Sequence, residues 1–78
     1  MSILLEKIPP HNIEAEQAVL GAMMMDRDAV YTAMEKLVAE DFYKEAHRIV
    51  FGVILDLEKK GEPVDMIVLT EELRRQNV

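Results

Sequence analysis

The stretch that decides the fold is Glu14–Met23, EAEQAVLGAM, which follows PPHN at residues 9–12. Asparagine is a favoured N-cap, and carboxylates in the first turn of a helix interact favourably with its dipole. We therefore predict that a helix begins after Asn12, with Glu14 and Glu16 in its first turn. Apolar residues cover most of the surface of this helix, which is typical of a helix packed inside a bundle. Its main apolar stripe comprises Ile13, Val19, Leu20, Met23 and Met24.

Apolar residues recur at helical spacing in three later segments. The second helix is predicted to follow Asp28 and to end near residue 39, the third to cover about 42–60, and the fourth to begin after Asp65. The residues predicted to face inward are Val30, Ala33, Met34, Leu37 and Val38 in the second helix, Ala46, Ile49, Val50, Val53, Ile54 and Leu57 in the third, and Met66, Leu69 and Leu73 in the fourth. No segment alternates with a period of two residues. The predicted fold class is all-α, a small orthogonal bundle of about four helices.

Polar residues near the ends of these helices allow more detailed predictions. Gly61 stands where a glycine commonly ends a helix, and Asp65 is a suitable N-cap for the fourth helix. Glu71 and Arg75 are four residues apart and are predicted to form an ion pair. Arg48 is predicted to lie on the solvent-facing side of the third helix.

Composition limits the possible functions. The 78 residues allow one domain at most, and the chain has no cysteine, so disulfides and thiolate metal sites are excluded. The net charge is −6, and residues 1–43 hold three basic and eight acidic side chains, which disfavours binding to DNA phosphates. No apolar run is long enough to cross a membrane, and the first residues do not resemble a signal peptide. We therefore expect a cytoplasmic protein that contacts neither DNA nor a membrane directly.

The residues needed for catalysis or cofactor binding are missing from the sequence pattern. No glycine-rich phosphate loop occurs, so we expect no ATP binding by this chain. The two histidines, His11 and His47, are 36 positions apart, which does not fit a usual metal site. The single serine, Ser2, has no histidine nearby in sequence. We predict no catalytic residue, no cofactor and no metal ligand.

Glu16 and His47 interrupt apolar stripes, Glu16 in the first helix and His47 at the edge of the third. A buried carboxylate is costly unless it is partnered. We predict that Glu16 is a structural polar residue that accepts hydrogen bonds from the start of a neighbouring helix or from His47. An active-site acid or base, and a role in an interface, are the alternatives.

Met23, Met24 and Met25 are consecutive, so their side chains must point in three directions. Met23 and Met24 are predicted to fill the core. Met25 lies off the main stripe and is a candidate for contact with a partner, because methionine suits adaptable binding surfaces.

Three blocks of this sequence resemble the beginning of the bacterial DnaB-family replicative helicases. They are EAEQAVLGAM at 14–23, EDFYKEAHRIVF at 40–51, and GEPVD at 61–65 followed by TEEL at 70–73. Their order and spacing fit the family over about residues 9–77. Asn12 stands where the family often has serine, and Arg27 stands where a proline is common.

The resemblance implies a part of a ring-shaped hexamer that uses ATP to unwind DNA at replication forks. In that family the motor, with its ATP and magnesium, is a separate C-terminal domain. The N-terminal domain is a helical collar that supports ring assembly and binds primase. The partners implied are other helicase subunits and primase, with a helicase loader as a further option. Residues 1–11 are then expected to form an extended arm, and 12–78 a head that lacks its last helix and the following hairpin.

An interaction domain without enzymatic activity is therefore the predicted function. Its candidate interface residues are Met25, Tyr31, Phe51 and Leu55. The alternative from another class is a small helix-turn-helix DNA-binding module, which the short link between the first two helices would allow. A recognition helix needs side chains that reach base edges, whereas the second helix offers one lysine, Lys36. A small stand-alone enzyme is a third option, for which the sequence supplies no suitable residues.

Overall fold

The structure is a computed structural model that describes residues 12–77. Within them lie four α-helices and one short 3-10 turn, and no strand. Their bounds are Ile13–Met25 (α1), Arg27–Lys36 (α2), Ala39–Asp41 (the 3-10 turn), Glu45–Lys59 (α3) and Met66–Arg75 (α4). The predicted all-α bundle is confirmed. The predicted arm at residues 1–11 lies outside the described residues, as do Ser2 and His11.

One apolar core joins the four helices. α1 packs against α2 and α3, and α4 packs against α3. The buried apolar residues are Ala15, Val19, Leu20, Met23, Ala29, Val30, Ala33, Leu37, Phe42, Phe51, Val53, Ile54, Leu57 and Leu69. α1 and α3 each contribute four of these residues, in agreement with the wide apolar surfaces that their sequences predict.

A single residue, Asp26, separates α1 from α2. Its backbone N–H donates to the Ala22 carbonyl at the end of α1, 3.0 Å away. Its carboxylate accepts from the N–H of Asp28 at 2.9 Å and so caps the start of α2. The prediction that α2 follows Asp28 is therefore wrong by two residues. Asp26 can perform both roles because its backbone is extended, with φ −147° and ψ 117°.

α2 ends at Lys36, earlier than predicted, because the next residue leaves the helical conformation. Leu37 is extended, with φ −127° and ψ 151°, and its side chain is buried in the core. The helical spacing no longer applies beyond it, and Val38 is 55% exposed. Met34, at the edge of the apolar stripe, is 39% exposed. The inward positions predicted for Met34 and Val38 are therefore wrong.

α3 begins at Glu45, three residues later than predicted, and ends at Lys59. Gly61, with φ +73°, follows its C-terminus in the left-handed conformation. Its N–H donates to the Glu58 carbonyl, and the N–H of Glu62 donates to the Leu57 carbonyl. These two bonds form a Schellman motif, which satisfies carbonyls that the helix leaves free. The predicted role of Gly61 is confirmed.

α4 is tied to α3 through the buried Glu72. Asp65 caps α4 by accepting from the N–H of Val68 at 2.9 Å, as predicted. Arg75 bonds to Glu72 and not to Glu71, because Glu72 is on the side of α4 that faces α3. Lys60, at the end of α3, is 3.7 Å from the same carboxylate. The hydrogen bonds from Arg75 and Gln76 lower the pKa of Glu72 to about 2.

The inward position predicted for Met66 is also wrong. Its side chain is 64% exposed, and that of Ile67 is 72% exposed, since both belong to the first turn of α4. Leu69 is buried and Leu73 is half-buried, so the part of α4 that packs against the core begins one turn later.

Replacement of two glycines by alanine should change stability in opposite directions. Gly61→Ala should lower the free energy of unfolding by about 1–2 kcal/mol, because alanine is disfavoured at positive φ. Gly52→Ala, inside α3, should raise it by about 0.5–1 kcal/mol, since alanine is the better helix former. A Cβ added at either position meets no atom within 4 Å, so crowding does not obscure the comparison. Urea unfolding followed by circular dichroism measures both changes, and a loss of stability in both variants would contradict this prediction.

Candidate functional site

The centre of the structure is a polar cluster around Glu16. This side chain is completely buried, although it lies on α1 among the apolar residues Ala15, Val19 and Leu20. Asn12 positions the first turn by accepting from the N–H of Ala15 at 2.8 Å, as its predicted role as N-cap requires. The helix thereby directs Glu16 into the protein, towards the residues that precede α3.

Three donors surround the Glu16 carboxylate. Its oxygens accept from the backbone N–H groups of Tyr43 at 2.5 Å and Lys44 at 3.3 Å. The Nδ1 atom of His47 lies 2.7 Å from Oε1. Because an ionised carboxylate only accepts hydrogen bonds, the proton of this last bond is on Nδ1. α3 has no side-chain cap of its own at Lys44, so a carboxylate from α1 serves the residues at its start.

Burial and hydrogen bonding shift the pKa of the Glu16 carboxyl in opposite directions. Removal from water raises the pKa of its carboxyl, whereas the bonds from Tyr43, His47 and Lys44 lower it. The three bonds together outweigh burial, and the pKa lies below its ordinary value of 4.5. Glu16 is therefore an ionised acceptor in the folded protein. It has no spare proton for acid catalysis, and both of its oxygens accept hydrogen bonds from structural donors.

Arg48 completes this cluster, and the sequence did not indicate its role. It was predicted to lie in solvent, but it is half-buried, and its Nε donates to the Phe42 carbonyl at 2.6 Å. It also lies 3.5 Å from the carboxylate of Glu45. The short spacing between Phe42 and Arg48 was the available signal, since an arginine in the first turn of a helix can reach back to the preceding turn.

The four candidate interface residues have different environments. Met25 is 89% exposed and Tyr31 is 45% exposed, so both are accessible to a partner. Leu55 is half-buried against the core. Phe51 is fully buried, and its assignment to an interface is wrong. Its ring packs against that of Phe42, with centroids 4.9 Å apart, because the turn before α3 folds Phe42 beneath the helix.

The three consecutive methionines diverge as predicted. Met23 is buried, Met24 is half-buried against the core, and Met25 projects into solvent. Together they form one wall of an open cavity of about 190 Å³, whose other walls include Glu58 and Val64. The contact of Met25 with a partner stays a prediction.

A second depression lies between α3 and α4. It is a shallow, largely apolar groove of about 170 Å³, lined by Ala46, Ile49, Val50 and Leu73. Val53 and Leu57 continue the same stripe of α3 and are buried, whereas Ile49 and Val50 are only half-buried and Ala46 is exposed, so the inward position predicted for Ala46 is wrong. The first half of the apolar stripe on α3 is therefore less covered than its second half.

Residues 12–77 contain neither a cluster that could hold a metal ion nor a helix that could span a membrane. No three histidine, aspartate or glutamate side chains in that range converge in a way that could hold a metal ion. The helices of the same range are all too short or too polar to span a bilayer. Every buried side-chain nitrogen and oxygen atom in the described part of the chain has a hydrogen-bond partner. No orphaned polar group there indicates a missing ligand.

Comparison with known proteins assigns the chain to a family. The family described as "DnaB-like helicase N terminal domain" matches residues 8–78. The chain belongs to this family. The resemblance of the three sequence blocks to DnaB-family helicases is thereby confirmed.

Similar proteins carry the same family name. The chain is 52% identical over 68 residues to the replicative DNA helicase DnaB of Geobacillus stearothermophilus, a match that covers 87% of this chain and 15% of the relative. It is 50% identical over 68 residues to DnaB of Treponema pallidum, with 87% and 16% covered. It therefore spans about a sixth of the length of these relatives.

A solved structure shows the same fold. It is the crystal structure of the N-terminal domain of DnaB helicase from Mycobacterium tuberculosis, with a TM-score of 0.83 and 44% sequence identity. The match covers 87% of this chain and 49% of the solved chain. The four helices described above therefore correspond to about half of a DnaB N-terminal domain.

The buried carboxylate of this DnaB-like domain can be tested by a conservative substitution. Glu16→Gln should lower the free energy of unfolding by about 2–3 kcal/mol, because the amide removes charge-assisted bonds and turns a donor towards existing donors. Glu14→Gln is the matched control, since Glu14 lies on the same turn but is exposed, and its effect should be below about 0.5 kcal/mol. Chemical unfolding followed by circular dichroism measures both. Equal effects would show that Glu16 has no special structural role.

The contribution of Glu16 should also depend on pH. Its folded-state pKa is lowered, so its stabilising effect is complete above its ordinary value of 4.5 and is lost as the pH falls through the folded-state pKa. The difference in unfolding free energy between the natural chain and Glu16→Gln should therefore be largest near neutral pH and shrink in acid. Unfolding curves at several pH values test this, and a difference that grows on acidification would contradict it.

Proposed function

We propose that this chain is the head of the N-terminal collar of a replicative DNA helicase, and that it binds other proteins. Its partners would be neighbouring helicase subunits and primase. Membership of the DnaB-like N-terminal domain family is the observation that carries this proposal. ATP and magnesium would be bound by a separate motor domain of the whole helicase, and the head would act through its surface alone.

Exposed apolar side chains on the described surface support a protein-binding role. Exposed methionine side chains in particular suit adaptable protein-binding surfaces. The exposed large apolar residues are Met25, Tyr31, Met34, Val38, Tyr43, Met66 and Ile67. The polar cluster at Glu16, in contrast, is internal and fully bonded, so its role would be to hold the helices that present these side chains.

DNA binding by a helix-turn-helix is less well supported. The one-residue link at Asp26 would allow such a motif, but α2 carries only Arg27 and Lys36 as cations. With a net charge of −6, the chain would also repel the phosphate backbone.

An amide NMR titration of this chain with the helicase-binding domain of the primase from the same organism tests the proposal. We expect localised shifts at exposed residues such as Met25 and Tyr31, with the buried amides near Glu16 unchanged. Met25→Glu should weaken the interaction if Met25 contributes to it, and Gln17→Glu, which adds the same charge at an exposed polar residue of α1, is the matched control. Sedimentation of the chain alone over a range of concentrations tests association between heads. The absence of both primase-induced shifts and self-association would overturn the proposal.

A further inference from the structure

The outer face of α2 combines apolar and acidic side chains on the side opposite the core. We define it by Asp28, Tyr31, Met34 and Glu35 of α2, together with Val38, which follows the end of the helix. The apolar members are Tyr31 at 45% exposure, Met34 at 39% and Val38 at 55%, whereas Ala29, Val30 and Ala33 of the same helix are buried. Single exposed apolar residues are normal on a protein surface, but three large ones on one short segment indicate a contact site.

Two carboxylates flank the tyrosine ring on this face. Asp28 is three residues before Tyr31 and Glu35 is four residues after it, so both are its neighbours on the helix surface. Both side chains are exposed. Among residues 12–77, none forms an ion pair with Asp28 or Glu35 or a ring contact with Tyr31. As far as residues 12–77 are concerned, the aromatic face and both carboxylates are therefore available to another molecule.

We infer that the outer face of α2 docks a basic amphipathic helix of a partner protein, with an arginine over the Tyr31 ring. A guanidinium group stacks favourably on an aromatic face and forms strong hydrogen bonds with carboxylates, here those of Asp28 and Glu35. An aliphatic side chain one turn further along the partner helix would pack on Met34. This inference rests on the proposed function and names the chemistry of the partner.

Charge complementarity favours this occupant over a second copy of the chain. Residues 26–41, which comprise α2 and the turns at its two ends, hold five acidic and two basic side chains, so the region around α2 attracts cations. A second copy would bring the same excess of carboxylates to the interface. Arg27 lies one turn before Tyr31 and repels a cationic partner. Its replacement by a neutral residue should therefore strengthen binding, whereas loss of the carboxylates should weaken it.

The experiment uses two synthetic helical peptides of about 18 residues, long enough to form a helix once bound. The first carries arginine and leucine along one face, and the second has glutamate in place of each arginine. Each is titrated into the full 78-residue chain at physiological salt and followed by amide NMR. We expect the arginine peptide to shift the amides of α2 around Tyr31, and the glutamate peptide to have no effect there.

Matched variants separate docking on this face from general attraction to an acidic protein. Asp28→Asn with Glu35→Gln should weaken binding of the arginine peptide about fivefold, as expected for two exposed charge pairs. Asp56→Asn with Glu71→Gln removes two exposed carboxylates from α3 and α4, gives the same net charge, and should leave binding unchanged. Tyr31→Phe should retain binding and Tyr31→Ser should weaken it, whereas Arg27→Gln should strengthen it. Circular dichroism confirms that each variant is folded.

The inference is overturned if both peptides bind equally, if the shifts fall outside α2, or if the two double variants behave alike. Concentration-dependent shifts of α2 in the chain alone would assign this face to a second copy and also overturn it. The primase titration is an independent measurement. If primase binds and the arginine peptide does not, only the inference about α2 fails.

Discussion

A buried carboxylate that caps another helix is the interaction on which this fold depends. Glu16 projects from α1 and accepts from the N–H groups of Tyr43 and Lys44 and from His47, all at the beginning of α3. One side chain thereby fixes both the starting point of α3 and its position against α1. Since α4 packs on α3 and α2 on α1, both remaining helices are placed through the same junction.

Much of the architecture is encoded locally and could be predicted from the sequence. Asn12, Gly61 and Asp65 mark helix ends through their own hydrogen bonds or backbone conformations, and their predicted roles are confirmed. The start of α2 was misplaced, because two aspartates, Asp26 and Asp28, are equally good caps in sequence. In the structure α1 ends at Met25 and the backbone becomes extended at Asp26, so the Asp26 carboxylate caps α2.

Other features depend on tertiary contacts, which the spacing of apolar residues along the sequence does not reveal. Leu37 leaves the helical conformation to enter the core, which exposes Val38, and Phe51 is buried because Phe42 folds back against it. Glu16 was predicted to need partners, but the sequence left backbone donors and His47 as alternatives, and the structure contains both. The role of Arg48 was missed, since the helical periodicity places it on the solvent-facing side of α3, whereas the carbonyl it binds lies before the helix begins.

The one-residue junction at Asp26 has a mechanical consequence. Between α1 and α2 the chain has only the two backbone torsions of this residue, and hydrogen bonds to both helices hold them in place. The junction therefore transmits torque and does not act as a hinge. A force applied to the surface of α2 would therefore be transmitted through α1 to the hydrogen bonds of Glu16. We expect α1, α2 and the start of α3 to move as one unit.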